Sequence, residues 1–256
     1  MIDVRCLASG STGNSYALDD GRSVLLLEAG ISGKKIMQGY KELLPRVAGC
    51  LISHEHQDHA KGAAELARRG IPLYASAGTF GAIRDIQNPY ALHTIRAREA
   101  VQIYSQDGRE VLWTVLPWEA QHDAAEPLGF LIQSRTTGEK VLFATDTYYI
   151  PYTFQGLNYI FSECNYSREL LQKAIEEGRT AMKQTRRLYQ SHFGLHNVLD
   201  MLRANDLSQV QRIYLIHISR ENGDPATFTE KVRAFTGKLV TTLPNRRNHH
   251  DTKHMD

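Results

Sequence analysis

The segment HEHQDH at residues 54–59 constrains the fold and the chemistry of this chain more than any other part of its sequence. It comes directly after an apolar run that is typical of a buried strand. After a strand, residues two apart can project toward one point, so His54 and His56 can hold one metal ion. The chain then turns, and Asp58 and His59 can face a second ion. Imidazole nitrogens and carboxylate oxygens are good ligands for zinc-like cations, so the segment predicts a metal site.

A pair of ions at this site would determine the reaction. Two divalent ions about 3.5–4 Å apart can share a hydroxide and polarise a phosphoryl group. The segment therefore favours a two-metal phosphodiesterase, in which Asp58 is catalytic as well as a ligand. A chance histidine-rich surface loop is the alternative, and the fixed spacing of three histidines and one aspartate weighs against it. Mixed histidine and aspartate sites accept zinc or manganese, and the sequence does not choose between these two cofactors.

Bulk composition predicts one domain. The chain has 256 residues, of which 42% are hydrophobic, which is enough for a single sizeable core. We expect this domain at residues 1–244 and a disordered polar tail, NRRNHHDTKHMD, at residues 245–256. The net charge of +2 neither indicates nor excludes nucleic-acid binding, because a local basic patch is sufficient for that function.

Three cysteines, Cys6, Cys50 and Cys164, do not suit a disulfide framework and fit a reducing cytosol. Cys50 precedes a strand-like run, and we interpret it as a small core residue rather than a ligand. The N-terminus lacks the pattern of a signal peptide, and no apolar run approaches the ~18 residues of a membrane span. We therefore expect a cytoplasmic protein without a membrane segment. The sequence leaves the oligomeric state open, with a dimer as one option.

Strand-like and helical patterns alternate along the chain. Val24–Leu27 and Lys140–Ala144 are short apolar runs typical of buried strands, and Leu195–Ala204 has helical periodicity. We also predict a single helix at Ala60–Arg69 and a strand at Arg212–Ile218. Clusters of strands interleaved with helices predict an α/β fold, an αββα sandwich of two mixed β-sheets flanked by helices.

The pattern HxHxDH after an apolar strand resembles the signature of metallo-β-lactamase-fold hydrolases. This resemblance implies the same sandwich and further ligands at three later strand ends. The chain has candidates in the right order: His122 in WEAQHDAAEPLGF, Asp146 in LFATDTYY and His217 in YLIHIS. By the family pattern, His122 would join the first two histidines on one ion. His217 would join Asp58 and His59 on the other ion, and Asp146 would bridge the two.

Several phrases are more specifically similar to the YycJ/WalJ-like branch, whose members resemble exonucleases acting on duplex DNA. They are LASGSTGNSY, AGISGKK, SHEHQDHAKG, HDAAEPLGF and HISRENGDP, and their joint order carries the resemblance. It implies an exonuclease whose partner is nucleic acid, in particular DNA. The alternatives are an RNase Z-like endoribonuclease or a cyclic-nucleotide phosphodiesterase on the same fold. A non-catalytic metal-dependent binding protein is a third class, which the complete ligand set argues against.

The segment Ser191-His192-Phe193-Gly194 stands where the family usually has a glycine-histidine motif. In the related RNase Z type, a histidine before a helix protonates the leaving oxygen. His192 precedes the helical run Leu195–Ala204, so it is our candidate for that catalytic role. A polar loop residue is the alternative, and the sequence favours neither.

Two carboxylates are candidates for orienting the ligands. Glu28 stands where related enzymes usually carry an aspartate that fixes the tautomer and direction of a histidine ligand. Its extra methylene requires a displaced backbone or a bridging water. Glu163 ends another strand near the site by the same resemblance, and a solvated surface glutamate is the alternative.

The loop ASGSTGN near the N-terminus is a candidate for contact with substrate phosphate. Its two glycines, Gly10 and Gly13, allow backbone N–H groups to face one anion. The loop lacks the lysine of a P-loop, which argues against nucleoside triphosphate binding. The resemblance favours a role near the substrate, and a tight connection is the alternative. The predicted phosphate-binding residues are Ser9, Gly10, Ser11 and Asn14.

Basic residues on two successive predicted helices could form a phosphate-binding face. Glutamates interspersed among them also fit an ordinary solvated helix surface. The basic residues are Arg168, Lys173, Arg179, Lys183, Arg186 and Arg187.

Overall fold

Two β-sheets face each other and carry helices on both outer sides. The structure is a computed structural model that describes residues 1–178 and 182–243, and at residues 182–184 and 187 it describes the backbone alone. The strands of the first sheet are β1 (Asp3–Ala8), β2 (Ser15–Asp19), β3 (Val24–Leu27), β4 (Val47–Leu51), β5 (Leu73–Ala75) and β6 (Leu92–Thr94). The strands of the second are β7 (Val101–Tyr104), β8 (Val111–Glu119), β9 (Leu128–Ser134), β10 (Lys140–Ala144), β11 (Tyr159–Glu163), β12 (Arg212–Ile216) and β13 (Leu239–Thr242).

Both sheets are mixed. The first runs β1 to β6 in sequence order, antiparallel up to β3 and parallel from β3 onward. The second also follows sequence order, antiparallel up to β10 and parallel from β10 to β13. The helices are α1 (Gly33–Gly39), α2 (Gln57–Ala60), α3 (Ala63–Arg68), α4 (Ala77–Ala82), α5 (Arg168–Glu176), α6 (Met182–Tyr189), α7 (Leu195–Ala204) and α8 (Pro225–Thr236).

Alternation along the strands builds the layers. In β3, Leu25 and Leu27 pack between the two sheets, whereas Val24 and Leu26 pack on the other face with residues of α1 and α3. The same alternation in β10 places every second residue against α7 and α8. Strands covered on both faces are continuous apolar runs, which is why VLLL and VLFA were recognisable in the sequence. The predicted αββα sandwich of two mixed sheets is confirmed.

Two predicted elements differ in their bounds. The helix expected at Ala60–Arg69 is broken into α2 and α3, because the amide of Gly62 donates to the carbonyl of Ala29 instead of continuing a helix. The strand expected at Arg212–Ile218 ends at Ile216, because His217 turns the chain with φ of 51°. Cys50 is fully buried in the core under α1 and α3, as expected.

Some predictions lie outside the described residues, among them the tail at residues 245–256 and the side chains of Arg179, Lys183 and Arg187. Within the described ranges, no helix is long and apolar enough to cross a membrane.

Candidate metal centre

The carboxyl ends of several strands meet at one edge of the sandwich and carry the predicted ligands. The HEHQDH segment follows β4, and His122, Asp146 and His217 follow β8, β10 and β12. Asp146 and His217 have positive φ values of 42° and 51°, and Glu28 after β3 has one of 65°. Positive φ is costly for residues other than glycine, and such positions cluster at functional sites. The chain thus turns sharply off three strands where it presents these side chains.

His54, His56, His122 and Asp146 form a first group, whose ligand atoms all lie within 4.8 Å of one another. Nδ1 of His56 lies 3.0 Å from Nε2 of His54 and 3.2 Å from Nε2 of His122. Nδ1 of His122 is 2.8 Å from the carbonyl oxygen of Ser191. A carbonyl only accepts, so this nitrogen carries the proton and Nε2 presents a lone pair to the group.

The donor chemistry of the first group fits a bound cation. Burial, together with the neighbouring His59, lowers the pKa of His54 well below its usual value. Burial also lowers the pKa of His122. Neutral imidazole is the form that binds metal, and lone pairs facing one another at these distances repel unless a cation lies among them.

Asp58, His59, His217 and the same Asp146 form a second group, again within 4.8 Å. Oδ2 of Asp58 lies 3.4 Å from Nε2 of His59 and 3.2 Å from Nε2 of His217. The two carboxyl oxygens of Asp146 are divided between the rings: Oδ2 is 3.4 Å from His59 and Oδ1 is 3.5 Å from His217. Asp146 belongs to both groups, the position expected of a bridging ligand.

The electrostatics of the second group also fit a cation. Burial alone would lower the pKa of His217, but Asp146, Asp58 and Glu163 outweigh it and raise that pKa to about 10. Burial opposes the charge of Asp146, yet His217 and His59 hold its pKa well below the usual range. These carboxylates require positive charge beside them, and a metal ion can supply it in place of protons on the rings.

Glu28 reaches His59 directly. It is 1% exposed, and its Oε2 atom lies 3.3 Å from Nδ1 of His59 in an ion-pair contact without the angle of a hydrogen bond. Its Oε1 atom accepts from the amide of Ser53 at 3.2 Å. The side chain of Glu28 makes this contact directly, from a backbone with φ of 65°, so no bridging water is needed.

Glu163 is 1% exposed, so the alternative of a solvated surface residue is wrong. Its Oε1 atom lies 2.7 Å from Nδ1 of His192 and 3.1 Å from Nδ1 of His217. Burial would lower the pKa of His192, but Glu163 outweighs it and raises that pKa. His192 therefore lies beside the second group, with Nδ1 held and Nε2 left as the ring nitrogen that can meet a substrate.

Residues of the N-terminal loop ASGSTGN form hydrogen bonds with one another and with the rest of the protein. Gly10 donates its amide to Oδ1 of Asn14 at 2.8 Å, and Gly13 donates to the carbonyl of Gly10 at 2.9 Å. Both of these amides are used within the loop and do not face an anion, so a phosphate contact through the backbone would fall to other N–H groups of the loop. Ser9 is buried and accepts from the amide of His217 at 3.0 Å. Of the four predicted phosphate contacts, Ser11 alone is exposed.

Two cavities adjoin the Ser191-His192 segment, one lined by Ser191 and the other by His192. One has a volume of about 610 Å³ and is called the His122 cavity; its lining includes Gln121, His122, Tyr148, Arg186, Gln190 and Ser191. The other has a volume of about 510 Å³ and is called the His217 cavity; its lining includes Ser11, Thr12, His192, His217, Ser219 and Arg220.

Several residues that support the site were missed by sequence reasoning. Ser53 Oγ lies 2.9 Å from Nδ1 of His54, and Asn165 Nδ2 donates to the carbonyl of His217 at 3.0 Å. Ser191 supplies the carbonyl that orients His122. Ser53 adjoins the metal segment and could have been suspected. Asn165 and Ser191 carry no periodicity or motif that would have revealed them. Of the proposed basic face, Arg168 and Lys173 are exposed on α5, where Lys173 lies 3.9 Å from Glu177.

Comparison with known proteins identifies the family. The sequence profile described as the Beta-lactamase superfamily domain matches residues 25–218, a span that contains every predicted metal ligand. The chain belongs to the β-lactamase superfamily. Among solved structures, the metallo-β-lactamase-fold protein YhfI from Bacillus subtilis superposes with a TM-score of 0.65 at 12% identity, covering 94% of this chain and 96% of that one.

Curated relatives of this superfamily member are nucleases. Exodeoxyribonuclease YycJ of Bacillus anthracis is 28% identical over 234 residues, which cover 84% of this chain and 82% of the relative. Exodeoxyribonuclease WalJ of Streptococcus pneumoniae is 28% identical over 227 residues, covering 84% and 81%. The resemblance to the YycJ/WalJ branch is thereby confirmed. The protein is a hydrolase of the metallo-β-lactamase fold with a histidine and aspartate cluster capable of binding metal.

Proposed function

We propose that this protein is a metal-dependent phosphodiesterase that acts on nucleic acid, specifically an exonuclease on DNA. Three four-residue ligand groups share Asp146, and the proposal is carried by the two of them that contain the ligands of the HEHQDH segment. A site with two adjacent cations suits phosphodiester hydrolysis, because two cations can stabilise both the attacking and the leaving oxygens of the displacement. The YycJ and WalJ relatives, named exodeoxyribonucleases, support DNA as the substrate.

The ligands divide between the two ions as the groups do. His54, His56 and His122 would hold one ion, Asp58, His59 and His217 the other, and Asp146 both. Zinc or manganese suits this set of nitrogen and carboxylate donors. When bound, the ions supply an activated water and neutralise charge on the phosphate.

The remaining chemistry belongs to the side chains. Glu163 holds Nδ1 of His192, so this nitrogen carries a proton and the Nε2 atom is directed by the ring geometry away from the carboxylate. A protonated His192 donates to the departing sugar oxygen, which would otherwise leave as a strongly basic alkoxide. Glu28 fixes the direction of His59, and the Ser191 carbonyl fixes that of His122.

The test is release of mononucleotides from linear duplex DNA in the presence of Mn²⁺, compared with covalently closed circular DNA and with an RNA of the same sequence. We expect mononucleotides from linear DNA and none from the circle. Asp58→Ala should abolish release and reduce bound metal. His93→Ala is the matched control, because His93 stacks on Tyr74 on β5, away from the ligand groups. Cleavage of the circle, or turnover by metal-free Asp58→Ala protein, would overturn the proposal.

A further inference from the structure

The His122 cavity differs from the His217 cavity in the side chains that line it. Tyr148 lines the His122 cavity and is 38% exposed. Among the described residues, no phenylalanine, tyrosine or tryptophan lines the His217 cavity, where hydroxyl and amide side chains make up half of the lining. The His122 cavity therefore offers a phenol ring, which the described lining of the His217 cavity does not.

The backbone that carries Tyr148 is fixed on both sides. Its amide donates to the carbonyl of Gln121 at 3.1 Å, and its carbonyl accepts from Nδ2 of Asn197 at 3.3 Å. The preceding residue, Thr147, accepts from the amide of Gln121 at 2.9 Å. The Tyr148 ring is exposed, its backbone is fixed, and it lies two residues from Asp146 in the sequence. It is therefore pre-organised to contact a ligand at the metal centre rather than to pack in the protein core.

The polar groups of the His122 cavity suit a base edge better than a second phosphate. Arg186 and Asp123 bring opposite charges to the lining, so it is not strongly positive. The side-chain amides of Gln121 and Gln190 each offer a donor and an acceptor. A planar, hydrogen-bonding, uncharged group that stacks on an aromatic ring matches this lining, and a nucleobase has these properties.

The position of His192 indicates which nucleotide would enter the cavity. His192 lines the His217 cavity, whereas Tyr148 lines the His122 cavity. A proton donor must lie next to the leaving oxygen, so the departing nucleoside extends toward the His217 cavity. The nucleotide that keeps the phosphate then lies on the side of Tyr148.

We infer that the His122 cavity is a nucleobase subsite, in which Tyr148 stacks on the base of the nucleotide that retains the phosphate. This inference rests on the proposed function and adds that the base is unpaired when its phosphate is cleaved, because the side-chain amides of Gln121 and Gln190 would meet the hydrogen-bonding edge that pairing occupies. The substrate at the centre is therefore a single-stranded end, either supplied as such or melted from a duplex.

The first experiment measures binding, so that it does not depend on nuclease activity. Deoxyadenosine 5′-monophosphate and base-free deoxyribose 5-phosphate are titrated into Mn²⁺-loaded protein by calorimetry. Wild-type protein should bind the nucleotide about 10-fold more tightly than the sugar phosphate, as expected for one stacked base. Tyr148→Ala should abolish this preference, and Tyr148→Phe should keep it. The matched control is Tyr149→Ala, since Tyr149 is 57% exposed but lies outside the cavity lining.

The second experiment uses oligonucleotides with one abasic residue. An abasic residue on the phosphate-retaining side of the scissile bond should raise the KM of the wild-type protein about 10-fold. It should not raise the KM of Tyr148→Ala, because this variant has already lost the contact with the base. Equal losses in both proteins, a Tyr148→Phe variant as impaired as Tyr148→Ala, or equal binding of the two phosphates by wild type would overturn the subsite. If the base preference is present but no DNA is cleaved, the exonuclease proposal fails while the subsite stands.

Discussion

The Oε1 atom of Glu163 lies 2.7 Å from Nδ1 of His192, deep enough in the protein that the carboxylate is 1% exposed. The second oxygen of Glu163 accepts from the amide of Phe193 at 3.1 Å, which fixes the carboxylate plane. The ring of His192 is stacked on that of His217, with centroids 5.6 Å apart. His192 is therefore held at one orientation beside the second ligand group, as a positioned proton donor requires.

The first prediction tests this donor. His192→Ala should lower kcat on DNA about 10²–10⁴-fold while both ions stay bound. Bis-p-nitrophenyl phosphate has a leaving group that departs without protonation, so its hydrolysis should fall much less. Steady-state kinetics on both substrates and metal analysis of the same preparation check the contrast. Equal losses on the two substrates would assign His192 to positioning instead, and no loss on either would return it to an ordinary loop residue.

Sequence patterns predicted the sandwich because several of its strands, including β3 and β10, are buried on both faces. Val24–Leu27 and Lys140–Ala144 have the predicted bounds for that reason. The helix α4 was missed because its sequence, AGTFGA, contains two glycines, which disfavour helices. The strand β6 was missed because three residues are too short to show alternation. Such elements are set by their neighbours in the fold rather than by local preference.

The candidate site was predictable where residue order and strand ends carried the signal. Asp146 and His217 each follow an apolar run, in the order that the family resemblance implies, which is why they were predicted as ligands. Their positive φ could not be predicted, because a residue other than glycine does not indicate that conformation in the sequence. The Ser191 carbonyl beside His122 could not be predicted either, since a main-chain group has no sequence signature.

The second prediction concerns Asp146. Asp146→Asn keeps the size of the side chain and removes its negative charge. This charge lies 3.4 Å from Nε2 of His59 in the second group and belongs to the first group as well. A neutral amide cannot offer an anionic oxygen to each of two cations, so metal content should fall below that of wild type and turnover should be lost. Metal stoichiometry by mass spectrometry is the measurement, with His93→Ala as control. Retention of both metal and turnover would show that Asp146 is not a bridging ligand.

The third prediction concerns Glu28. Glu28→Gln removes the negative charge 3.3 Å from Nδ1 of His59, and loss of such an orienting partner weakens metal binding about 10–100-fold. Competition with a chelator measures this affinity. The effect should be confined to the second ion, because the described contacts of Glu28 include His59 but none of the histidines of the first group. A uniform weakening of both ions would instead indicate a general disturbance of the strand ends.

The fourth prediction is a dependence of stability on pH, far from the metal centre. Both guanidinium nitrogens of Arg46 donate to the carboxylate of Asp19, at 2.6 Å and 2.7 Å, and this pairing lowers the pKa of Asp19. A carboxyl whose pKa is lowered by folding stabilises the protein above its unfolded pKa of about 3.9, and this contribution is lost as the pH falls through the lower folded value.

Asp19→Asn should therefore reduce the free energy of unfolding of the metal-free protein by about 1 kcal/mol at pH 7, and by progressively less below about pH 4. Asparagine still accepts from the amide of Gly21, which Asp19 does at 2.9 Å, so the turn is preserved and the charge is the main loss. Urea denaturation from pH 7 to pH 3 measures the difference. Asp3→Asn is the control, because the Asp3 side chain is 68% exposed and lies 3.5 Å from an exposed partner, Arg5, so this ion pair contributes little. A destabilisation by Asp19→Asn that stays constant across this pH range would show that packing, and not the ion pair, is what the substitution removes.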